Sequence, residues 1–364
     1  MRISVLGPIP RQSHQPDGNF FTWRGRFRLG RTDSAPRRLV IGADRGRRSR
    51  NALCDSIIER HVMIELQRIL CAVDFSEFSR RALDHALSVA RSYGSTVTAL
   101  HVIAPAPAVV AGAYFGSEAA PPIMLPGMDF STATRELERF VASEQVPGVK
   151  VETLVGEGSE VYREILAQAD QLDANLVVIG THGRAGFERL FLGSTAEKVL
   201  RKGRRPVMTV PPKAPDGMAS GPVPFKRIVC GVDFSKSSQV ALDYAISLAQ
   251  QNTAALALVH IIETHPLYAD FAPPAAIDLH AWIEQASSRL HAMVPDPVRA
   301  TCSVAELVGE GTPYREILGI ARDAAADLIV LGVRGRRAAD LLFFGSTTHH
   351  VIRESQCAVL TIHD

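Results

Sequence analysis

The chain has 364 residues, 46% of them apolar and 21% charged. That length exceeds one ordinary domain, and the composition excludes a disordered chain. No apolar run reaches the roughly 18 residues of a membrane span, and residues 1–18 lack the apolar core of a secretory leader.

The formal net charge of +2 conceals a division. Residues 1–62 carry thirteen Arg and five acids, a charge of +8, whereas residues 63–364 carry 27 basic and 33 acidic side chains, a charge of −6. The Arg-rich head (1–62) has no clear periodicity and is expected to be a disordered tail or an upstream extension of the reading frame. Without it the body is acidic, so the weak overall basicity gives no reason to expect a nucleic-acid partner.

From Arg68 onward strands alternate with helices. Ile69–Val73 is a short apolar run suited to a strand buried on both faces. Ser76 can cap the next helix, in which Phe78, Ala82, Leu83, Ala86, Leu87, Ala90 and Tyr93 recur at helical spacing. Val97–Ile103 is a second strand, Ser131–Glu144 a helix and Lys150–Val155 a third strand. Ser159–Gln171 is a helix with Ser159 as its cap, and Leu176–Ile179 a fourth strand. Ser194–Lys202 is a helix and Pro206–Val210 the last strand.

The pattern then repeats. Arg68–Ile103 aligns without a gap on Arg227–Ile262, with 16 of 36 positions identical, and Leu176–Thr195 aligns on Leu328–Thr347. The chain is a duplication: a first domain at 66–212, a Pro- and Gly-rich linker at 213–224 and a second domain at 225–364. Each is an α/β module, an open parallel sheet with helices on both faces, and the strand order taken for it is 3-2-1-4-5, which the alternation itself does not dictate. The last strands, Val207–Val210 and Ala358–Ile362, are expected at sheet edges, where another chain or module can pair.

Two stations recur. One is the end of the first strand, Val73-Asp74-Phe75-Ser76 and Val232-Asp233-Phe234-Ser235. The other follows the fourth strand as G-x2-G-x9-G-S, at Gly180, Gly183, Gly193 and Ser194, and again at Gly332, Gly335, Gly345 and Ser346. Glycine after a buried strand lets backbone N–H groups approach an anion, and a helix beginning at Gly193-Ser194 presents free N–H groups to phosphate. Ser194 also begins S-x-x-E with Glu197, so it can cap that helix, and the two roles are compatible. Arg184 and Arg336 stand where a terminal phosphate could be paired. With order 3-2-1-4-5, both stations meet at the point where the strand order reverses.

Both modules resemble universal stress protein (UspA-like) domains, of the adenine-nucleotide alpha-hydrolase-like fold. The residues that carry the resemblance are AVDFSEFSRRAL at 72–83, LHVI at 100–103 and the glycine motif at 180–194. Their counterparts are GVDFSKSSQVAL at 231–242, VHII at 259–262 and 332–346. The resemblance is to the ATP-binding branch. It implies that Val73, Asp74 and Val102 face the adenine and ribose, and that Gly180, Gly183, Gly193, Ser194 and Thr195 hold the ribose and phosphates. The second site it implies comprises Val232, Asp233, Ile261, Gly332, Gly335, Gly345, Ser346 and Thr347. It further implies ATP, with Mg²⁺ accompanying the phosphates, a role in stress response or signalling in the cytoplasm, and dimers or a pseudo-dimer of modules built on the last strands.

No P-loop, kinase signature or SGGxDS stretch occurs, so binding with at most slow ATP hydrolysis is expected, with no catalytic residue and no protein-bound metal. The rivals are a nucleotide-independent interaction module and a slow ATP hydrolase. His182 has no histidine at its place in the second copy, which argues against catalysis there. His101 and His260 match each other and are read as satisfied within the fold, while His349 and His350 are read as solvated or supporting. Gly156-Glu157-Gly158 and Gly309-Glu310-Gly311 are read as turns, with Thr312 capping the second copy's helix. The Pro-rich segment 104–130 is expected to form a flap over the pocket or a subunit contact. Five cysteines without a CxxC pair suit a reducing compartment and buried thiols.

Overall fold

A computed structural model describes residues 40–41, 64–103, 129–144, 146–183, 192–215, 224–263, 279–333 and 345–363. The segment 104–128, most of the head and most of the linker lie outside the described residues, and with them the flap expectation. The chain divides into two compact units. One holds Leu66–Pro212, and the other holds Pro222–Asp364 with Lys213–Pro215 and the described residues up to Glu65.

In chain order, β1 is Val40–Ile41, followed by β2 (Arg68–Ala72), α1 (Glu77–Tyr93) and β3 (Thr96–Ile103). Next come α2 (Phe130–Ala142), β4 (Lys150–Glu157), α3 (Val161–Gln171), β5 (Leu176–Gly180), α4 (Ser194–Lys202) and β6 (Val207–Val210). The second module runs β7 (Arg227–Gly231), α5 (Lys236–Asn252), β8 (Ala255–Ile262), α6 (Leu279–Ala292) and α7 (Asp296–Thr301). It ends with β9 (Val304–Glu310), α8 (Pro313–Asp323), β10 (Leu328–Gly332), α9 (Ser346–Glu354) and β11 (Ala358–Ile362).

In the first unit the strands lie in the order β4-β3-β2-β5-β6, all pairs parallel. That is 3-2-1-4-5, the expected order. The second unit repeats it as β9-β8-β7-β10-β11, also parallel. Here β1 adds antiparallel to β9, with Val40 opposite Val308. The Ile64 N–H donates to Ser247 Oγ at 2.9 Å, and the Ile64 carbonyl accepts from Gln251 Nε2, so Ile64 is tied to α5. The sequence gives no sign of the short α7.

Every residue of β5 is buried, and so is every residue of β11, which explains why these strands read as unbroken apolar runs. Burial pushes the Cys71 and Cys230 thiols up to about 12, so these cysteines are neutral core residues.

The caps are only partly those expected. Ser76 caps α1 by accepting from the Ser79 N–H, and Ser235 does the same for α5. Ser159 does not cap α3: the cap position is Glu160, and its side chain makes no cap bond. Thr312 occupies the cap of α8 but its hydroxyl does not close on the helix. At the other end of α1, Gly94 takes the left-handed conformation at φ 66°, where glycine has no Cβ to clash. Its counterpart after α5 is Thr253, forced to φ 50° with a β-branched side chain.

Candidate functional site

Both sites begin where the first strand ends. The Val73 N–H continues the ladder onto the Leu100 carbonyl at 2.8 Å, and the chain then turns sharply. Asp74 makes the turn with its own side chain: Oδ1 accepts from the Ser76 N–H at 3.0 Å and from the Ser76 hydroxyl. Asp233 accepts from the Ser235 N–H in the same way, at 3.0 Å. Between them, Phe75 and Phe234 adopt φ of 64° and 62°. An aromatic residue held left-handed costs about 1–2 kcal/mol, so the surroundings must enforce it.

A histidine on the second strand helps to enforce it. His101 Nδ1 lies 2.8 Å from the Val73 carbonyl, and its ring meets the Phe75 ring at 4.3 Å. His260 repeats both contacts, at 2.7 Å to the Val232 carbonyl and 4.4 Å to Phe234. A carbonyl only accepts, so Nδ1 carries the proton in both. These histidines are satisfied within the fold, as expected.

The second station lies beside the first, because β5 pairs with β2 and β10 with β7. Gly180 permits close packing on α1: a Cβ there would lie 3.1 Å from the Phe78 carbonyl oxygen. The long motif loop is closed at its base. The Gly193 N–H donates to the Thr181 carbonyl at 2.8 Å, and the Gly345 N–H to the Val333 carbonyl at 3.1 Å. Those glycines are the N-caps of α4 and α9. Ser194 is therefore the first helical residue rather than the cap, which corrects the capping-box alternative. Ser194 and Ser346 are exposed at helix N-termini, where backbone N–H groups lack helical partners.

Gly183 joins the two stations. A Cβ on it would lie 2.9 Å from Asp74 Oδ2, so a larger residue there would have to displace the carboxylate. Beside it, His182 Nδ1 lies 3.0 Å from Thr181 Oγ1, while Nε2 is buried without a hydrogen-bond partner in the protein. Burial holds this imidazole below its ordinary pKa.

In the second module the stations frame a pocket of about 850 Å³. Seven predicted residues line it: Val232, Asp233, Ile261, Gly332, Gly345, Ser346 and Thr347. Gly335, Arg336 and Arg184 lie outside the described residues. In the first module Val73, Asp74, Val102, Gly180, Gly183, Gly193, Ser194 and Thr195 stand at the carboxyl ends of β2, β3 and β5 and at the start of α4. Sequence reasoning missed the opposite wall, Trp282, Gln285 and Arg289 on α6. The only available signal was their spacing on one helical face. His350 stacks on Tyr314 at 4.3 Å and does not line the pocket. Among the described residues no group of three or more His, Cys, Asp or Glu could hold a metal ion. No helix of the described residues is long and apolar enough to cross a membrane.

The universal stress protein family profile matches residues 65–211 and again 224–363. Universal stress protein A homolog 1 of Coxiella burnetii is 32% identical over 146 residues, 40% of this chain and 95% of the relative. A universal stress protein of Methanocaldococcus jannaschii is 30% identical over 144 residues, 40% of this chain and 81% of the relative. A universal stress protein structure from Archaeoglobus fulgidus shares the fold, with TM-score 0.57 and 22% identity, over 82% of this chain and 97% of that one. The chain belongs to the universal stress protein family, with two family domains in tandem.

Proposed function

We propose that each module binds ATP in the crevice between its first and fourth strands, and that occupancy serves a stress or energy-state response. The observation that carries this reading is the second module's pocket. Its floor is the end of β7 with Asp233, and one wall is the N-terminus of α9. A base and ribose fit the apolar and carboxylate end, and the phosphates fit the helix N-terminus, whose dipole and free N–H groups favour anions. The cavity lies within the range of roughly 300–1,000 Å³ usual for small-ligand sites. The first module's equivalent geometry, with Gly183 against Asp74, supports the same assignment there.

In this reading Mg²⁺ travels with the phosphates. Asp74 and Asp233 shape the turn and meet the ribose rather than act as bases, since Oδ1 of each is engaged by the serine two residues on. The protein acts in the cytoplasm, and the last strands β6 and β11 are the surfaces for pairing, as a homodimer or as a pseudo-dimer of modules. The test is to denature freshly purified protein and identify the released nucleotide by mass, followed by calorimetric titration with ATP and Mg²⁺. Co-purified adenine nucleotide or saturable binding is expected. Absence of both would refute the reading and leave the nucleotide-independent interaction module.

A further inference from the structure

The pocket of the second module has a wall that no shared motif supplies. Helix α6 buries Ile283, Ala286 and Leu290. Trp282, Gln285 and Arg289, spaced three and four residues apart, line the pocket together with Ala286. Trp282 keeps 50% of its surface exposed, one of two large apolar side chains so exposed among the described residues. The Arg289 guanidinium lies 4.0 Å above the Phe234 ring, whose left-handed backbone and contact with His260 hold it at the pocket's edge. A flat ligand group entering here meets a half-exposed indole and a guanidinium fixed by a cation–π contact.

The first module treats the same place differently. There the Phe75 ring is met edge-on by Phe140 of α2 at 5.7 Å, and the Arg80 guanidinium caps Phe140 at 4.4 Å. Ala133, Leu137 and Phe140 are all buried. The first module's own apolar side chain thus occupies the position on the turn that the second gives to Arg289.

We infer that Trp282 is a base-stacking platform of the second module, with Arg289 as its polar rim, and that the second pocket thereby selects ligands carrying an aromatic base. This rests on the nucleotide reading of that pocket and adds a specificity residue to it. Loss of a stacked aromatic partner lowers affinity by about tenfold or more.

The chain has two tryptophans, Trp23 and Trp282, so Trp23→Phe leaves Trp282 as the sole indole reporter. Full-length protein carrying Trp23→Phe and Ser194→Asp, the latter weakening phosphate binding in the first module, is titrated with ATP, adenosine and inorganic tripolyphosphate. Calorimetry and indole emission are read together. ATP and adenosine are expected to change the emission, and tripolyphosphate to leave it unchanged. Adding Trp282→Ala weakens ATP binding about tenfold, and Trp282→Phe restores most of it. Unchanged melting of both variants separates this from a folding defect. If ATP binds by calorimetry but emission is unmoved and Trp282→Ala binds equally well, the stacking inference is overturned and the nucleotide reading stands. If this protein takes up no ATP, the reading of the pocket fails, and the inference with it.

Discussion

The two modules use one device at the strand-1 turn and diverge around it. Both hold a phenylalanine left-handed between an aspartate-closed turn and a histidine that donates to the preceding carbonyl. Both close the glycine loop with a backbone bond at its base. Around this shared frame, Phe78 of the first module corresponds to Ser237, Phe140 is replaced over the turn by Arg289, and the cap Gly94 corresponds to Thr253. What is kept twice in spite of local strain belongs to the site. What differs tunes each module separately.

The largest expected effect tests the join between the stations. Gly183→Val places a Cβ 2.9 Å from Asp74 Oδ2, within hard contact, and the β-branched side chain adds bulk. ATP uptake by the first module should fall below detection in calorimetry while the second still binds. Loss of both sites at once would show that the modules are not independent.

A smaller effect tests the histidine. His101→Leu or His260→Leu leaves a carbonyl without its donor and loosens the turn. Each should cost about 1–3 kcal/mol in denaturant unfolding. A cost near zero in both would show that the turn does not depend on the histidine.

Thr253→Gly should act in the opposite direction. Removing a β-branched residue from φ 50° relieves strain, and the second module should gain about 0.5–1 kcal/mol. The reverse change, Gly94→Thr, should destabilise the first module by a similar or larger amount. Denaturation curves of the pair read both signs.

The smallest effect is a pH dependence confined to the first module. Burial lowers the His182 pKa in the folded protein from the ordinary 6.5. The fold therefore favours neutral imidazole, and its stability is greatest above 6.5. Stability falls as pH drops from 6.5 through the lower folded value, because the unfolded chain takes up the proton first. His182→Gln should flatten the first module's melting temperature between about pH 7 and 5. An unchanged slope would contradict the assignment.

Much of the fold was legible because the sequence states it twice. The repeated V-D-F-S and the shared glycine spacing located both stations, and alternating strands and helices implied a parallel sheet, although alternation alone does not dictate the strand order. The Phe75 conformation was not legible, since nothing in local preference places an aromatic residue left-handed. The alternative of a Ser194 cap failed because Gly193, whose N–H closes on the Thr181 carbonyl, is the cap. Trp282 and Arg289 were missed because α6 lies beyond the stretch in which the two copies align. Their importance depends on a cavity wall that helix periodicity alone cannot reveal.

The central claim, one nucleotide per module held at a helix N-terminus, meets its most direct test in the stoichiometry of ATP binding. Aspartate at the first helical position favours the helix but repels phosphate, so Ser194→Asp and Ser346→Asp should preserve melting while weakening binding about ten- to a hundredfold. The account predicts two ATP per chain bound at full affinity for the unaltered protein, one for either variant and none for the double variant, whose sites fill only at about ten- to a hundredfold higher ATP. Full binding in the double variant would contradict it.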